Sequence, residues 1–392
     1  MAPELLPPDR QPVIIAARRT PVCRTNGALR TLRAHRLLAP VLRELAALPG
    51  IRPADVTDVV IGNAVGGGGN VARLALLEAG LPVSVPGLTV DRQCGSGLDA
   101  IVLASGLVAA GGNPLYLAGG VESTSTAPLR AHRNDDGGPK FYRRAQFVPE
   151  GFGDPDMGVA AETVAQNFGV GRDRQDGFAL LSHQRALAAA GAGHFDDELV
   201  ALETGAGLVS TDDGPRSGLN AAVMARFPAA FVDGGTVTAG NSCFDADAAS
   251  AVVITSLKRA RDLGVTDGLL VLGSGTAGVE PEVLGIGAAA AARSVLDDAG
   301  VTVDELDLVE FNEAFASQTL ASLDELGIAA ERVNLDGGAL ALGHAYGASG
   351  AVLVTRLFSQ ARRNGTSGSL ALAMISIAGG MGTAALLRYE SF

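Results

Sequence analysis

Residues 91 to 97 read Asp-Arg-Gln-Cys-Gly-Ser-Gly, placing Cys94 between an apolar, strand-like run (85–90) and a helix-like run (98–109). A sulfur at a helix start faces unpaired backbone N–H groups and the positive end of the helix dipole, which favours thiolate over thiol. Cys94 is therefore a candidate nucleophile; the competing reading is a small buried hydrophobe. A cysteine nucleophile needs a proton acceptor and a site for the oxyanion it creates. Of the five histidines, His35, His132, His183 and His194 fall on helical or polar surface patterns and read as ordinary surface residues. His344 stands apart, in a Gly-rich turn that runs from Gly337 to Gly350 into a helical pattern. Asn312, in Phe311-Asn-Glu-Ala-Phe-Ala316, closes a strand-like run, where α/β sheets gather their ligands. Its amide could orient a water or donate to an oxyanion.

The elements that must position these residues are repeated along the chain. The stretch from Asp55 to Ala64 matches that from Asp304 to Ala314 with one extra residue. Further on, Cys94-Gly-Ser-Gly97 matches Gly347-Ala-Ser-Gly350, and Leu117-Ala-Gly-Gly-Val-Glu-Ser123 matches Ile377-Ala-Gly-Gly-Met-Gly-Thr383. Three matches in the same order indicate a duplicated unit. Each copy alternates apolar runs with helical patterns such as 37–48 and 351–363, which predicts an α/β fold with helices covering a mostly parallel sheet. Duplication would bring the His344 turn to Cys94 across a pseudo-twofold axis. The expected organisation is residues 1–120 with 246–272 as one half, 273–392 as the other, and 121–245 as an inserted loop domain. The insertion carries Arg130, Arg133, Lys140, Arg143 and Arg144, which read either as phosphate contacts or as a solvated face, then a helical pattern near 160–168.

Composition narrows the class. With 47% hydrophobic residues, a chain of 392 can bury a large core, and its net charge of −12 argues against a nucleic-acid surface. Cys23, Cys94 and Cys243 show neither a disulfide framework nor metal-ligand spacing, which fits a reducing cytoplasm. The first ten residues hold prolines and acids where a signal peptide needs a basic and then an apolar run, and are expected to form a loose arm. The uncharged stretch 365–387 is broken by Ser369, Ser376, Thr383 and Gly379-Gly380, so it reads as strand, turn and strand rather than a membrane span.

Taken together, the motifs resemble those of the thiolases, which make or cleave 3-ketoacyl-CoA. The likeness runs from Val13-Ile-Ile-Ala-Ala-Arg-Arg-Thr-Pro21 and Asn26-Gly-Ala-Leu29 through the Cys94 heptapeptide, Ala118-Gly-Gly-Val-Glu-Ser123 and Met157-Gly-Val-Ala-Ala-Glu162. It continues through Val237-Thr-Ala-Gly-Asn241, Asn312-Glu-Ala-Phe-Ala316 and the His344 turn to Gly379-Gly-Met-Gly382, covering nearly the whole chain. The resemblance implies a five-layered αβαβα thiolase fold and a homodimer or homotetramer. It also implies coenzyme A thioesters as substrates, with no other cofactor and no metal. Cys94 would carry the acyl group while His344 assists its ionisation, and Asn312, through a water, would join His344 in holding an enolate. The backbone N–H groups of Cys94 and Ala378 would form the second oxyanion site. Contacts to CoA would come from Arg216, Met157, Ala239, Cys243 and Phe244.

Three departures from the family pattern carry the chain's own signature. Ser376-Ile-Ala378-Gly-Gly stands where the family has a second catalytic cysteine; a serine hydroxyl is essentially un-ionised at neutral pH and makes a poor base. Asn241-Ser-Cys243-Phe244-Asp replaces Asn-Ala-Ser-Gly-Leu, adding bulk along the expected pantetheine path. His344-Ala345-Tyr346 replaces a His-Pro turn. Three functions are compatible with this pattern. One is acyl transfer through Cys94 with Claisen chemistry. A second is decarboxylative condensation, or transfer to another acceptor, which needs no such base. The third is an acyl-CoA-binding or scaffolding subunit of low activity.

Overall fold

The computed structural model describes residues 5–392, so the first four residues of the expected loose arm lie outside the described residues. The rest of that arm is tied down: the Pro8 and Gln11 carbonyls accept the Lys258 and Leu257 N–H groups. Nine strands form one continuous path, with the short pair Cys23–Arg24 added beside Ala246–Ser256. On one side the order is Gly87–Val90, Asp58–Gly62, Leu115–Ser123, Ala246–Ser256, Pro12–Arg19. On the other it is Leu306–Phe311, Leu370–Ile377, Met381–Ser391, Asp267–Gly278. The second order repeats the first from the inside outward, and the two half-sheets meet where Val13 and Ile14 pair with Leu270 and Leu269.

The sheet is mixed, not mostly parallel. Only three ladders are parallel, those joining Asp58–Gly62 to its two neighbours and Leu306–Phe311 to Leu370–Ile377. The reason is local: Ala378-Gly379-Gly380, with both glycines at positive φ, turns the chain straight back on itself, and such a tight connection permits only an antiparallel pair. The third repeat match is also offset, since Gly119-Gly120 lie in mid-strand opposite Ala251 and Ser250 while Gly379-Gly380 make this turn.

Side chains of period two sort into layers. Val59, Ile61, Leu115, Leu117 and Val253 pack outward on the helix Ala34–Ala46, whereas Val60, Tyr116, Ala118, Val252 and Ile254 pack inward. In the other half Ala371, Ala373, Ile375, Ala385 and Leu387 face the same interior, and Leu372, Met374, Ala384 and Leu386 face the outer helix Gly287–Ala299. Between the half-sheets lie two helices, Ser96–Ala109 and Tyr346–Asn364. The stacking is helix, sheet, helix pair, sheet, helix: the five layers expected.

Residues 124–245 hold the hairpin Arg130–Arg133 with Pro139–Tyr142, a second hairpin Leu202–Thr204 with Gly207–Val209, and the helices Met157–Asn167 and Arg172–Gly191. Buried ion pairs lock this region to the rest. Arg19 reaches Glu198 and Asp212, both at 2.7 Å, and Arg356 reaches Glu198 at 2.5 Å and Asp336 at 2.6 Å. Among the described residues no helix is long and apolar enough to cross a membrane, and no group of three or more His, Cys, Asp or Glu could hold a metal ion.

Candidate active site

Cys94 sits in a single 3-10 turn, Gln93–Gly95, that leads directly into the helix Ser96–Ala109. Three side-chain bonds knot this turn. The Asp91 carboxylate accepts the Gln93 N–H at 2.7 Å; Ser96 Oγ accepts the Arg92 N–H at 2.8 Å and donates to the Gln93 carbonyl at 2.6 Å. Gln93 is held at φ 46°, a left-handed conformation that a non-glycine residue adopts only under constraint. Gly95 serves close approach, because a Cβ there would collide with the Ile377 side chain. That approach brings Ala378 to the sulfur.

The N–H groups of Ala378 and of Cys94 itself both stabilise the thiolate, yet burial outweighs them and pushes the Cys94 thiol up to about 12. The sequence suggested a thiolate favoured by helix position; burial instead keeps the proton on the sulfur, so a nucleophilic Cys94 would have to give it up on attack.

The expected acceptor, His344, lines the same cavity. A short parallel bridge fixes the His344 turn to the Phe244–Ala246 segment: the His344 N–H donates to the Phe244 carbonyl at 2.9 Å and the Ala246 N–H to the His344 carbonyl at 3.1 Å. The imidazole Nδ1 lies 2.7 Å from Ser349 Oγ, and Nε2 is buried with no protein partner. Burial lowers the His344 pKa to about 4, so the ring is neutral at physiological pH. The repeated small-residue motifs explain how the halves bring these groups together. A Cβ on Gly97 would stand 2.6 Å from the Gly347 carbonyl oxygen, so the two central helices cross there at their N-terminal ends.

One cavity of about 550 Å³ holds most of the expected site: Cys94, His344, Ser376, Ala378, Cys243 and Met157 line it. Arg130, Arg143 and Arg144 also reach its wall, with Arg144 paired to Asp154 at 2.5 Å and Asp156 at 3.3 Å. Arg216, Ala239 and Phe244 do not line it. Phe244 turns away, under the Arg24 guanidinium at 3.7 Å and against Gly214 and Gly343, so it adds no bulk to the cavity. The Arg216 N–H donates to Nδ1 of His183, which is buried in the helix Arg172–Gly191 rather than on the surface; burial and the nearby Arg216 and Arg24 lower its pKa to about 4. Asn312 does not line this cavity; it borders a separate one of about 20 Å³ together with Ser349, and its Nδ2 is buried without a partner.

Ser376 is not free. Its hydroxyl donates to the Gly285 carbonyl at 2.6 Å and accepts the Ala288 N–H at 3.1 Å. Two residues from the departures, with no role in the site assigned from sequence, also stand on the wall. Asp245 and Tyr346 both line the cavity, and the Tyr346 hydroxyl donates to Asp245 Oδ1 at 2.5 Å. Their separation of 101 positions left no sequence signal for the pair.

The fold and the sequence both have known counterparts. A crystal structure of the Bacillus anthracis acetyl-CoA acetyltransferase superposes with a TM-score of 0.88 at 34% identity, covering 97% of this chain and 99% of that one. The chain matches "Thiolase, N-terminal domain" over residues 12–258 and "Thiolase, C-terminal domain" over residues 270–389. The chain belongs to the thiolase family. Among its relatives, YhfS of Bacillus subtilis is 43% identical over 96% of this chain and 98% of its own length. VraB of Staphylococcus epidermidis is 41% identical over 97% and 98%. Both are provisionally named acetyl-CoA C-acetyltransferases.

Proposed function

We propose that this protein is an acyl-CoA acyltransferase of the thiolase type. It takes an acetyl or other short acyl group onto Cys94 and forms or cleaves a 3-ketoacyl-CoA by Claisen chemistry. The observation that carries this reading is the convergence on one sulfur of two backbone N–H groups, from Cys94 and Ala378, in a cavity shared with an unpaired imidazole Nε2. As Cys94 attacks the thioester carbonyl, its proton passes to His344 Nε2 and the oxyanion forms between the two N–H groups. Collapse expels the CoA thiolate, which takes the proton back from the imidazolium. The step is chemically easy because entering and leaving groups are thiolates of similar basicity. The acetyl group is favoured by the names of the relatives. In the second half-reaction an acyl-CoA enolate attacks the acyl-Cys94 carbonyl and releases Cys94. Asn312 takes part through the small cavity it shares with Ser349, the partner of His344 Nδ1; its volume of about 20 Å³ accommodates one water for the unpaired Nδ2.

Mass spectrometry of the intact protein after incubation with acetyl-CoA tests the reading. One acetyl adduct on the wild type, lost in Cys94→Ala, is expected. No adduct, or one that persists in Cys94→Ala, would overturn it.

A further inference from the structure

The three departures from the family pattern lie far apart in sequence, yet all reach one cavity. Ser376 replaces the expected base, Asp245 stands where the family has leucine, and Tyr346 lies in the altered His344 turn; each lines the wall that Cys94 lines. Asp245 and Tyr346 also touch, through the 2.5 Å hydrogen bond. Tyr346 is held at φ 27°, a strained position for a side chain of this size, and its ring packs edge-on to His344 with centroids 5.1 Å apart. The other proton acceptors near the sulfur are occupied. Ser376 has committed its proton to a carbonyl. Burial, with Asp245 and Cys94 nearby, holds the proton on the Cys243 thiol. Glu122 is engaged by the Asn63 side chain and the N–H groups of Ala64, Val65 and Gly347, outside this cavity. His344 serves Cys94. Asp245 keeps one carboxylate oxygen with no hydrogen-bond donor among the described residues.

Resting on the acyltransferase reading above, we propose that Asp245 is the base of the carbon–carbon step, taking over the duty absent at Ser376, and that Tyr346 is its positioning residue. The α-C–H bond of the second acyl-CoA breaks and its proton moves to the free carboxylate oxygen of Asp245. The enolate attacks the acyl-Cys94 carbonyl, forming the C–C bond. Collapse breaks the C–S bond, and the released Cys94 thiolate recovers a proton from the Asp245 carboxyl, which restores both groups. Thiolysis runs the same steps backward.

Exchange of the acetyl-CoA methyl hydrogens in D2O, read by mass spectrometry, isolates the proposed proton transfer. The acetyl adduct on Cys94, measured in the same samples, reports fold and acylation. Asp245→Asn should cut exchange and condensation by about 10²–10⁴-fold while the adduct still forms. Adding Ser376→Cys to Asp245→Asn should restore exchange, since a thiol then stands at the position the family uses. Tyr346→Phe should lower kcat about tenfold with KM unchanged, and it carries the test alone if Asp245→Asn does not fold. Wild-type exchange in Asp245→Asn or unchanged kcat in Tyr346→Phe overturns the proposal. So does product from malonyl-CoA without any exchange in the wild type. An absent adduct in the wild type would instead defeat the acyltransferase reading itself.

Discussion

Two walls of one cavity differ in how they relate to the family. On one, Cys94, His344 and the N–H at position 378 keep the expected chemistry: two N–H groups reach the Cys94 sulfur, and His344 lines the same cavity. On the other, Cys243, Asp245, Tyr346 and Ser376 are all changed. Exchanging one thioester for another demands donors and an acceptor within tenths of an ångström of one sulfur, so each piece is hard to move. Removing an α-proton asks only for a basic atom within reach of the methyl group, and several places on a cavity wall can supply one.

The sharpest way to break this contrast is His344→Ala. Loss of the proton acceptor should slow acetylation of Cys94 by about 10²–10⁴-fold in a quenched time course. A fall below tenfold would mean that the first wall is no more fixed than the second. Alkylation of Cys94 across pH comes next. With the thiol pushed to about 12, raising the pH steadily increases the reactive thiolate, and the rate should climb about tenfold per pH unit with no plateau below pH 10. A plateau near pH 8 would return the sulfur to ordinary behaviour.

Gly95→Ala should have a smaller effect, slowing acetylation about tenfold by forcing Ile377 and the adjoining Ala378 N–H away from the sulfur. Acetylation at the wild-type rate would show that the close approach has no catalytic role. The smallest effect concerns stability in acid. His344 and His183 have folded pKa values lowered from 6.5 to about 4, so unfolded chains bind protons first. The stability each contributes is intact above pH 6.5 and drains as pH falls from 6.5 through 4, by up to about 1.4 kcal/mol per unit per histidine. Urea unfolding at pH 7 and pH 5 should show a shallower acid loss in His183→Asn, and an unchanged slope would contradict the burial described for that ring.

That Cys94 and His344 belong to one cavity was legible because each lies in a short Gly-rich motif whose composition reports the local backbone. The α/β class was legible because apolar runs alternate with helical patterns along each copy, whereas the five layers came only with the family resemblance. Strand direction was not, since burial on both faces looks alike in parallel and antiparallel ladders. His183 misled because a weakly amphipathic helix does not announce which turn is covered by a neighbouring segment, here the Arg216 backbone. Phe244 misled for a related reason: one-dimensional order placed it on the ligand path, while the Arg24 guanidinium offers its ring a cation–π contact on the far side. Asp245 and Tyr346 became partners only once the fold joined them.

The meeting of Val13 and Ile14 with Leu270 and Leu269 has a consequence for folding cooperativity. The two half-sheets share a hydrogen-bonded seam and one helix-filled interior, and each supplies part of the candidate site: Cys94 from one, His344 and Ala378 from the other. Neither copy can melt locally while its twin keeps a working site. Denaturation should erase Cys94 acetylation and the far-UV helix signal in one transition, so two halves of like strand order melt as a single all-or-none unit.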